Sequence, residues 1–261
     1  MKHQAISDIS RSARGFTLVE LMIALLIGLF IAAGLVTLVQ AMKRTTVSQS
    51  GLSQLQDSER MGMSLIANAV QSAGYYPNPL VNNSATFFIA STVPSNSASG
   101  AVALTASQSI AGSVNTINSA LGDQFTVRYT SAGLDNVLNC AGATSTTQKT
   151  WTATFTIDAN QNLVCVLYDG VNAPTVVPLV NGIIKMNVLY GVQTNGAGLL
   201  NSADTYLAAS AITSWGTVRS VKVQLVFNNP LAGQPGQTST LLQTISFTRV
   251  ITTMNTTGVD T

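Results

Sequence analysis

Charged residues are scarce in this sequence. They make up 8% of the 261 residues, against about 25% in typical soluble domains, and Ser, Thr, Asn and Gln occupy the polar positions instead. The formal net charge is only +2, and no run of Lys and Arg is interleaved with aromatic residues. A nucleic-acid groove needs such a basic surface, so we predict no nucleic acid as a partner of this subunit alone.

Groups suited to catalysis are also few. The chain has a single histidine, His3, which stands in a basic segment at the amino terminus. No GxSxG turn, phosphate-binding loop or dinucleotide-binding glycine pattern occurs. Asp and Glu are too sparse to form an evident acid–base pair. The sequence therefore predicts a protein that is not an enzyme and needs no cofactor.

Only two cysteines are present, Cys140 and Cys165. They lack the CxxC spacing and the accompanying histidines of a zinc site. In an oxidising compartment they can pair, and closing a loop of roughly 26 residues would stabilise the fold by about 3.5 kcal/mol. We predict this disulfide on the condition that the chain is exported. Two separate buried thiols are the alternative.

One short segment has the oxygen ligands of a calcium loop. Asp158, Asn160 and Asn162 alternate as such ligands do, and Asp169 falls at the closing position of an EF-hand loop. The sixth position is Leu163, where the sharp turn of that loop needs glycine. A hairpin turn rich in Asp and Asn explains the segment more simply. We therefore predict no metal site and keep this segment as a weak calcium candidate.

A long apolar run lies near the amino terminus. Sixteen consecutive apolar or glycine residues extend from Leu21 to Val36. A helix from Phe16 to Val39 would be about 36 Å long, enough to cross a hydrocarbon core of about 30 Å. A secretory signal peptide or a buried core helix would have a shorter run, so a membrane anchor fits best. Basic residues flank the run at both ends and leave its orientation open.

Glu20 interrupts the start of this anchor. A carboxylate there costs up to about 3 kcal/mol, and a residue of this kind is by default a functional hypothesis that needs a partner. Cutting the peptide bond after Gly15 would give Phe16 a positively charged α-amine. That amine would lie one helical turn from Glu20, or within reach of Glu20 on an adjacent subunit. The alternative is an interfacial glutamate without a role.

The residues around Glu20 resemble a known processing signal. The prepilin motif of type IV pilins and type II secretion pseudopilins is similar to Arg14-Gly15-Phe16-Thr17-Leu18-Val19-Glu20. The resemblance implies that prepilin peptidase cuts between Gly15 and Phe16, that the new amine of Phe16 is methylated, and that Glu20 aligns subunits during assembly. Such a cut would also remove His3. The segment lacks the helix-breaking proline that many major pilins carry there.

A second short stretch, Ala73-Gly74-Tyr75-Tyr76, resembles the AGY-type segment of PilW-like minor pilins. The resemblance implies a minor pilin that is stored in the inner membrane with its head in the periplasm and then enters the pilus. Its partners would be prepilin peptidase, other minor and major pilins, the inner-membrane assembly platform and membrane lipid. The alternatives are a minor pseudopilin of a type II secretion system and an unprocessed, membrane-tethered periplasmic binding protein or adhesin.

The rest of the chain predicts an α+β fold of the type IV pilin kind. A leader over 1–15 would precede a transmembrane and assembly helix over 16–42, its amphipathic continuation over 43–74, and a β-rich head over 75–261. The continuation repeats apolar residues on one face, and Gly74 is a stop signal. The head residues alternate in period 2, which indicates antiparallel strands with one solvated face. Residues 81–122 predict an irregular connection with one or two short strands.

Overall fold

The computed structural model describes residues 15–194, 202–232 and 242–254. The predicted leader therefore lies outside the described residues except for Gly15, and so does His3. The chain divides into two compact units, residues 1–50 and 51–261.

One long helix, α1, covers Leu18–Ser72, close to the predicted span of Phe16 to Ala73. It ends where Gly74 adopts a positive φ of 78°, a conformation that glycine reaches without strain. The Gly74 N–H then donates to the Arg128 carbonyl at 2.8 Å, so the chain passes directly from the helix to the edge of a sheet. In the described part of the chain, α1 is the one helix long and apolar enough to span a membrane.

Within residues 51–72, α1 buries one face, as its apolar spacing predicts. The buried residues of this face are Leu55, Gly62, Met63, Ile66, Ala67 and Val70. Gly62 faces the sheet, and a Cβ at this position would make ordinary van der Waals contacts, 3.4 Å from Leu225 Cδ1 and 3.7 Å from Leu163 Cδ2. Met63 and Ile66 belong to the same core cluster as Phe125. The prediction that the apolar face of the sheet packs on the helix is thereby confirmed.

The described part of the head contains three antiparallel sheets. A two-stranded sheet pairs β1 (Ser91–Val93) with β2 (Val102–Leu104). A five-stranded sheet runs in the order β3 (Ile110–Val114), β4 (Asp123–Ser131), β5 (Lys149–Ile157), β6 (Asn162–Tyr168) and β7 (Thr175–Asn181). A four-stranded sheet has the order β11 (Thr244–Thr252), β10 (Val218–Asn228), β8 (Ile183–Val192) and β9 (Thr205–Leu207). The α+β class with an antiparallel β head is confirmed.

Short helical turns complete the described part of the head. A single α-turn, α2, covers Ser84–Phe87. Three 3-10 turns cover Ser119–Leu121, Ala209–Ala211 and Trp215–Thr217. The side chain of Asn118 caps the first of these turns by accepting the Ala120 N–H at 3.1 Å.

The two larger sheets meet at the start of β4. Gly122 forms an isolated parallel bridge with Met186 of β8, and a Cβ on Gly122 would overlap the Met186 carbonyl oxygen. The next residue, Asp123, accepts the Val188 N–H through its carboxylate at 2.8 Å. Only glycine permits this approach of the two backbones, so one residue fixes how the sheets join.

The polar face of the five-stranded sheet is buried, and the prediction that it is solvated is wrong there. The buried threonines of this face are Thr126, Thr130, Thr152, Thr154 and Thr156. They hydrogen-bond within the sheet, as Thr126 Oγ1 does with Thr154 Oγ1 at 2.7 Å. Asn115 from the covering segment donates to Thr156 Oγ1 at 2.8 Å. On β11 of the four-stranded sheet the corresponding polar residues are exposed, as predicted.

The covering segment is residues 84–118, most of the connection predicted to be irregular. It contains β1, β2, β3 and α2, so it has three short strands where one or two were predicted. Val93, Val102 and Leu104 form a small core of their own with Ala111. Ala98 packs against Val164 and Val166 on the back of β6. The segment is therefore a third layer of the head.

Candidate functional site

The predicted processing site lies immediately before α1. Gly15, Phe16 and Thr17 are outside the helix and exposed, and Phe16 retains 84% of its accessible surface. A peptidase needs an accessible bond outside regular structure. The Gly15–Phe16 bond meets that requirement.

Thr17 and Glu20 together form the start of the helix. Thr17 Oγ1 accepts the Glu20 backbone N–H at 3.3 Å, and the Thr17 carbonyl accepts the Leu21 N–H at 3.2 Å. This is the amino-terminal half of a capping box, in which a Thr is followed three residues later by a Glu. Glu20 also lies in the first turn, where the helix dipole favours a negative charge. The T-x-x-E signal before an apolar run was available in the sequence, and the sequence interpretation missed this capping role.

The apolar part of α1 is exposed along its whole length in the single chain. No residue from 15 to 47 is buried or half-buried, and Leu29 and Phe30 each retain 72% of their accessible surface. The Thr37 hydroxyl donates a hydrogen bond to the Gly34 carbonyl at 2.8 Å, so its polar group is satisfied within the helix. A continuous apolar surface of this size marks a membrane or protein interface.

The two cysteines form a disulfide, as the sequence predicted. Cys140 lies in the loop between β4 and β5, and Cys165 lies in β6, with their Cα atoms 6.4 Å apart. Hydrogen bonds also organise this loop, since the Asp135 carboxylate accepts from Ser131 Oγ and from the Ala132 N–H, both at 2.7 Å. The bond therefore ties an ordered loop to the middle of the five-stranded sheet.

A cavity of about 620 Å³ lies beside the disulfide loop. Its walls are Met61, Leu65 and Ala69 of α1, Leu138 of the loop, and the stretch 177–179 of β7. None of the described residues that line it is charged. Its chemistry suits an apolar group, and no polar cluster in it resembles a catalytic site.

Arg128 is buried under the covering segment. Its side chain donates to the backbone carbonyls of Phe88 (3.4 Å), Ile89 (2.6 Å), Thr105 (2.9 Å) and Gln108 (3.0 Å). The guanidinium also lies 5.1 Å from the centre of the Phe88 ring. Burial lowers the pKa of Arg128 to about 10, so the group stays charged at neutral pH. Arg128 is 1% exposed, which gives it a structural role rather than a binding one.

The sequence interpretation missed Arg128 because the residue occupies a polar position in an alternating strand. That pattern is typical of a solvated side chain. Only the covering segment, which supplies all four carbonyls, makes the position internal.

The structure separates Asp169, the closing acid of the weak calcium candidate, from the other residues of that candidate. Asp158 Oδ1 accepts the backbone N–H groups of Asn160 and Asn162 at 2.9 and 2.8 Å, as in a hairpin turn. Asp169 follows β6, about 23 Å further along the strand, and pairs with Lys149 at 2.8 Å. Among the described residues, no three His, Cys, Asp or Glu side chains lie close enough to hold a metal.

Two family models match the chain. The model described as Type IV Pilus-assembly protein W matches residues 124–256, just over half of the chain. The model described as the Prokaryotic N-terminal methylation motif matches residues 10–36. No curated protein matches the chain. The first match covers β4 to β11, and the second covers the predicted cleavage site and the first turns of α1.

Proposed function

Because the chain belongs to the family of type IV pilus-assembly protein W and is a minor pilin processed by prepilin peptidase, we propose that the cut falls between Gly15 and Phe16 and that Glu20 directs incorporation. These families are structural, and they imply interaction with other pilins and with the assembly machinery. The matches do not favour a type II secretion pseudopilin or an unprocessed tethered binding protein. The subunit acts without an enzymatic activity of its own.

The accessible bond at Gly15 is the observation that supports this cleavage site. Regular helix begins at Leu18, so a cut before Phe16 leaves the capping residue Thr17 and the whole helix in the mature chain. The methylation-motif match over residues 10–36 includes the same bond. The mature amino terminus would then carry its charge directly before the helix.

Glu20 acts as the partner of that amine in this proposal. The first turn of a helix carries partial positive charge from its free N–H groups, and the amine of Phe16 adds a full one. A neighbouring carboxylate compensates both in a medium that solvates charge poorly. When the helix leaves lipid for a bundle of pilin helices, an amine of one subunit can pair with Glu20 of the next.

The proposed arrangement follows the divisions of the sequence. The leader (1–15) is removed, the helix over 16–42 is stored in the inner membrane, and the continuation over 43–74 carries the head (75–261) in the periplasm. The disulfide supports an oxidising location for the head. The partners in these successive stages are prepilin peptidase, other minor and major pilins, the inner-membrane assembly platform and lipid.

One experiment tests cleavage and assembly together. We expect mass spectrometry of the native protein to find a mature chain that begins at methylated Phe16. Glu20→Ala should still insert in the membrane and be cut, but should be lost from sheared pili. Asp57→Ala, which changes an exposed acid elsewhere on the same helix, is the matched control and should assemble normally. A chain that begins at Met1 or Met42, or normal incorporation of Glu20→Ala, would contradict the proposal.

A further inference from the structure

Another cavity, of about 610 Å³, lies between the covering segment and the turn that begins at Trp215. The covering segment forms one side of it with residues 101–103, 105–109 and 111–113, and the stretch 213–216 forms the facing side. Small-molecule sites have volumes of about 300–1,000 Å³. None of the described residues that line this cavity is charged. A charged ligand would find no counter-charge there, so the cavity suits a neutral one.

Strand β3, at the edge of the five-stranded sheet, presents backbone groups to this cavity. At one end of the strand the Arg128 N–H donates to the Ser109 carbonyl at 2.8 Å, and at the other the Asn115 N–H donates to the Gly122 carbonyl at 2.9 Å. Bonded and non-bonded pairs alternate in an antiparallel ladder, so the odd-numbered residues of β3 bond to β4. Gly112 therefore directs its N–H and C=O outward, and it lines the cavity.

Tyr190 of β8 fixes both Gly112 and Trp215. A Cβ at position 112 would overlap the Tyr190 hydroxyl, so only glycine fits there. The Tyr190 ring also packs edge to face on the Trp215 ring, with 4.9 Å between their centres. Tyr190 itself is 1% exposed. One buried side chain thus sets the positions of an open backbone donor and acceptor and of a half-buried indole.

Two hydroxyls stand on opposite sides of the cavity. Ser107 and Ser214 both line it, and neither hydroxyl bonds to another described residue. The turn of Ser107 is held in place because its N–H donates to the Phe88 carbonyl at 2.8 Å. The facing turn is held by Arg219, which donates to the Gly216 carbonyl at 2.6 Å. Groups that are positioned before binding lose little entropy when a ligand arrives.

We propose that this cavity binds a neutral sugar unit of a glycan. The proposal goes beyond the proposed function, which concerns the amino terminus. A sugar ring carries C–H groups, which pack on aromatic side chains, and hydroxyls, which both donate and accept hydrogen bonds. The indole of Trp215 suits the C–H groups, and the Ser107 hydroxyl and the Gly112 backbone suit the hydroxyls. Acidic sugars are disfavoured, because no cationic side chain is among the described lining residues.

An extended peptide is the other ligand that an edge strand attracts. It would pair with β3 through the outward groups of successive alternate residues. The Ile110 carbonyl already accepts from Gln108 Nε2 at 2.9 Å, and Val114 does not line the cavity. Gly112 alone then offers both groups within the cavity. One donor and one acceptor are enough for a sugar hydroxyl but not for a strand.

Saturation-transfer NMR on the full chain, held in a detergent without a sugar headgroup, tests the site. The probes are maltose, lactose and N,N′-diacetylchitobiose at about 5 mM each, which is above a Kd of about 1 mM. We expect saturation transfer to at least one of these neutral disaccharides. Sialyllactose, which adds a carboxylate to lactose, should receive less transfer than the neutral sugars.

Variants at the rim show whether the signal comes from this cavity. Ala106→Trp fills the cavity from an exposed position and should abolish the transfer. Ser107→Ala should weaken binding about fivefold, the loss expected for one hydrogen bond. The matched controls, Ala85→Trp and Ser246→Ala, change exposed residues outside the cavity and should bind as the wild type does.

The indole has a matched pair of variants of its own. Trp215→Phe keeps a ring against Tyr190 but reduces the aromatic surface, and it should weaken binding at least about twofold. Trp151→Phe changes the other tryptophan of the head, which does not line the cavity, and should leave binding unchanged.

Three outcomes would each overturn the proposal. They are transfer to none of the neutral sugars, equal transfer in Ala106→Trp and the wild type, and binding of an extended threonine–valine pentapeptide in place of the sugars. Failure here would leave the cleavage and Glu20 results unaffected, because those are measured at the amino terminus.

Discussion

Replacing Arg128 by methionine tests whether the covering segment is held by this one cation. The change keeps an unbranched side chain of similar length but removes every donor. Four backbone carbonyls lose a charged donor: those of Phe88, Ile89, Thr105 and Gln108. Arg128 is 1% exposed, so the methionine would be buried in its place.

The magnitude follows from two opposing effects. A hydrogen bond to a charged group contributes about 1.5–3 kcal/mol, so the four lost bonds together contribute at least about 6 kcal/mol. Removing the charge relieves its desolvation, and the lowering of the Arg128 pKa to about 10 corresponds to about 3 kcal/mol. The lost hydrogen bonds outweigh this relief, and we expect a net destabilisation of about 3–5 kcal/mol.

The assay is thermal unfolding of the full chain in detergent, followed by the fluorescence of Trp151 and Trp215. Both tryptophans belong to the head. For a domain of this size a loss of 1 kcal/mol lowers Tm by about 2–4 °C, so Arg128→Met should lower it by roughly 10 °C. The Tm of Arg128→Lys, which keeps the charge with fewer donors, should lie between that of Arg128→Met and that of the wild type.

A matched arginine provides the control. Arg60 is exposed on α1, and Arg60→Met should change the stability by no more than about 0.5 kcal/mol. If Arg128→Met unfolds within about 1 kcal/mol of the wild type, the covering segment is held by its apolar contacts alone. The reasoning from the carbonyl bonds would then be refuted.

Two further predictions concern the disulfide and the ion pair of the head. The Cys140→Ser/Cys165→Ser variant should lose about 3.5 kcal/mol of unfolding free energy in chemical denaturation, because the bond closes a loop across a sequence separation of 25. Equal stability of the oxidised and reduced wild type would contradict this. Lys149 holds the pKa of Asp169 below its ordinary value. The stability that Asp169 contributes is therefore complete above the pKa of this carboxyl in the unfolded chain, about 3.9, and is lost as the pH falls below that value. Asp169→Asn should therefore cost about 1 kcal/mol near neutral pH and flatten the acid limb of the stability profile, whereas Asp57→Asn should leave that limb unchanged. An acid limb that is identical in Asp169→Asn and the wild type would show that another carboxylate causes it.

Local signals in the sequence were sufficient for the helix and for the strands. The apolar run predicted an anchor, and Gly74 predicted the end of α1 to within a residue. The alternation in β4 and β5 predicted strands whose inner face packs on the helix. These predictions succeeded because each depends on residues that are close together along the chain.

Whether the polar faces of the strands are buried or solvated could not be predicted in the same way. Thr126 and Thr154 alternate with apolar residues as solvated side chains do, yet they are buried and bonded to each other. The layer over them is a Ser-, Thr- and Asn-rich segment that looks irregular by itself. Its burial depends on partners far along the chain, such as Thr156 for Asn115. Alternation identifies the two faces of a strand but not what covers the second one.

The sequence by itself determined the membrane segment and the processing motif, because length, hydropathy and a contiguous motif define them without any distant contact. The pairing of Cys140 with Cys165 was nearly determined, since two cysteines allow a single intramolecular bond. Only the tertiary structure decided that Arg128 is internal and that β11 has no described strand on its outer side. Both depend on which segments lie side by side, and neighbours in space are set by the packing of the whole head rather than by any local pattern.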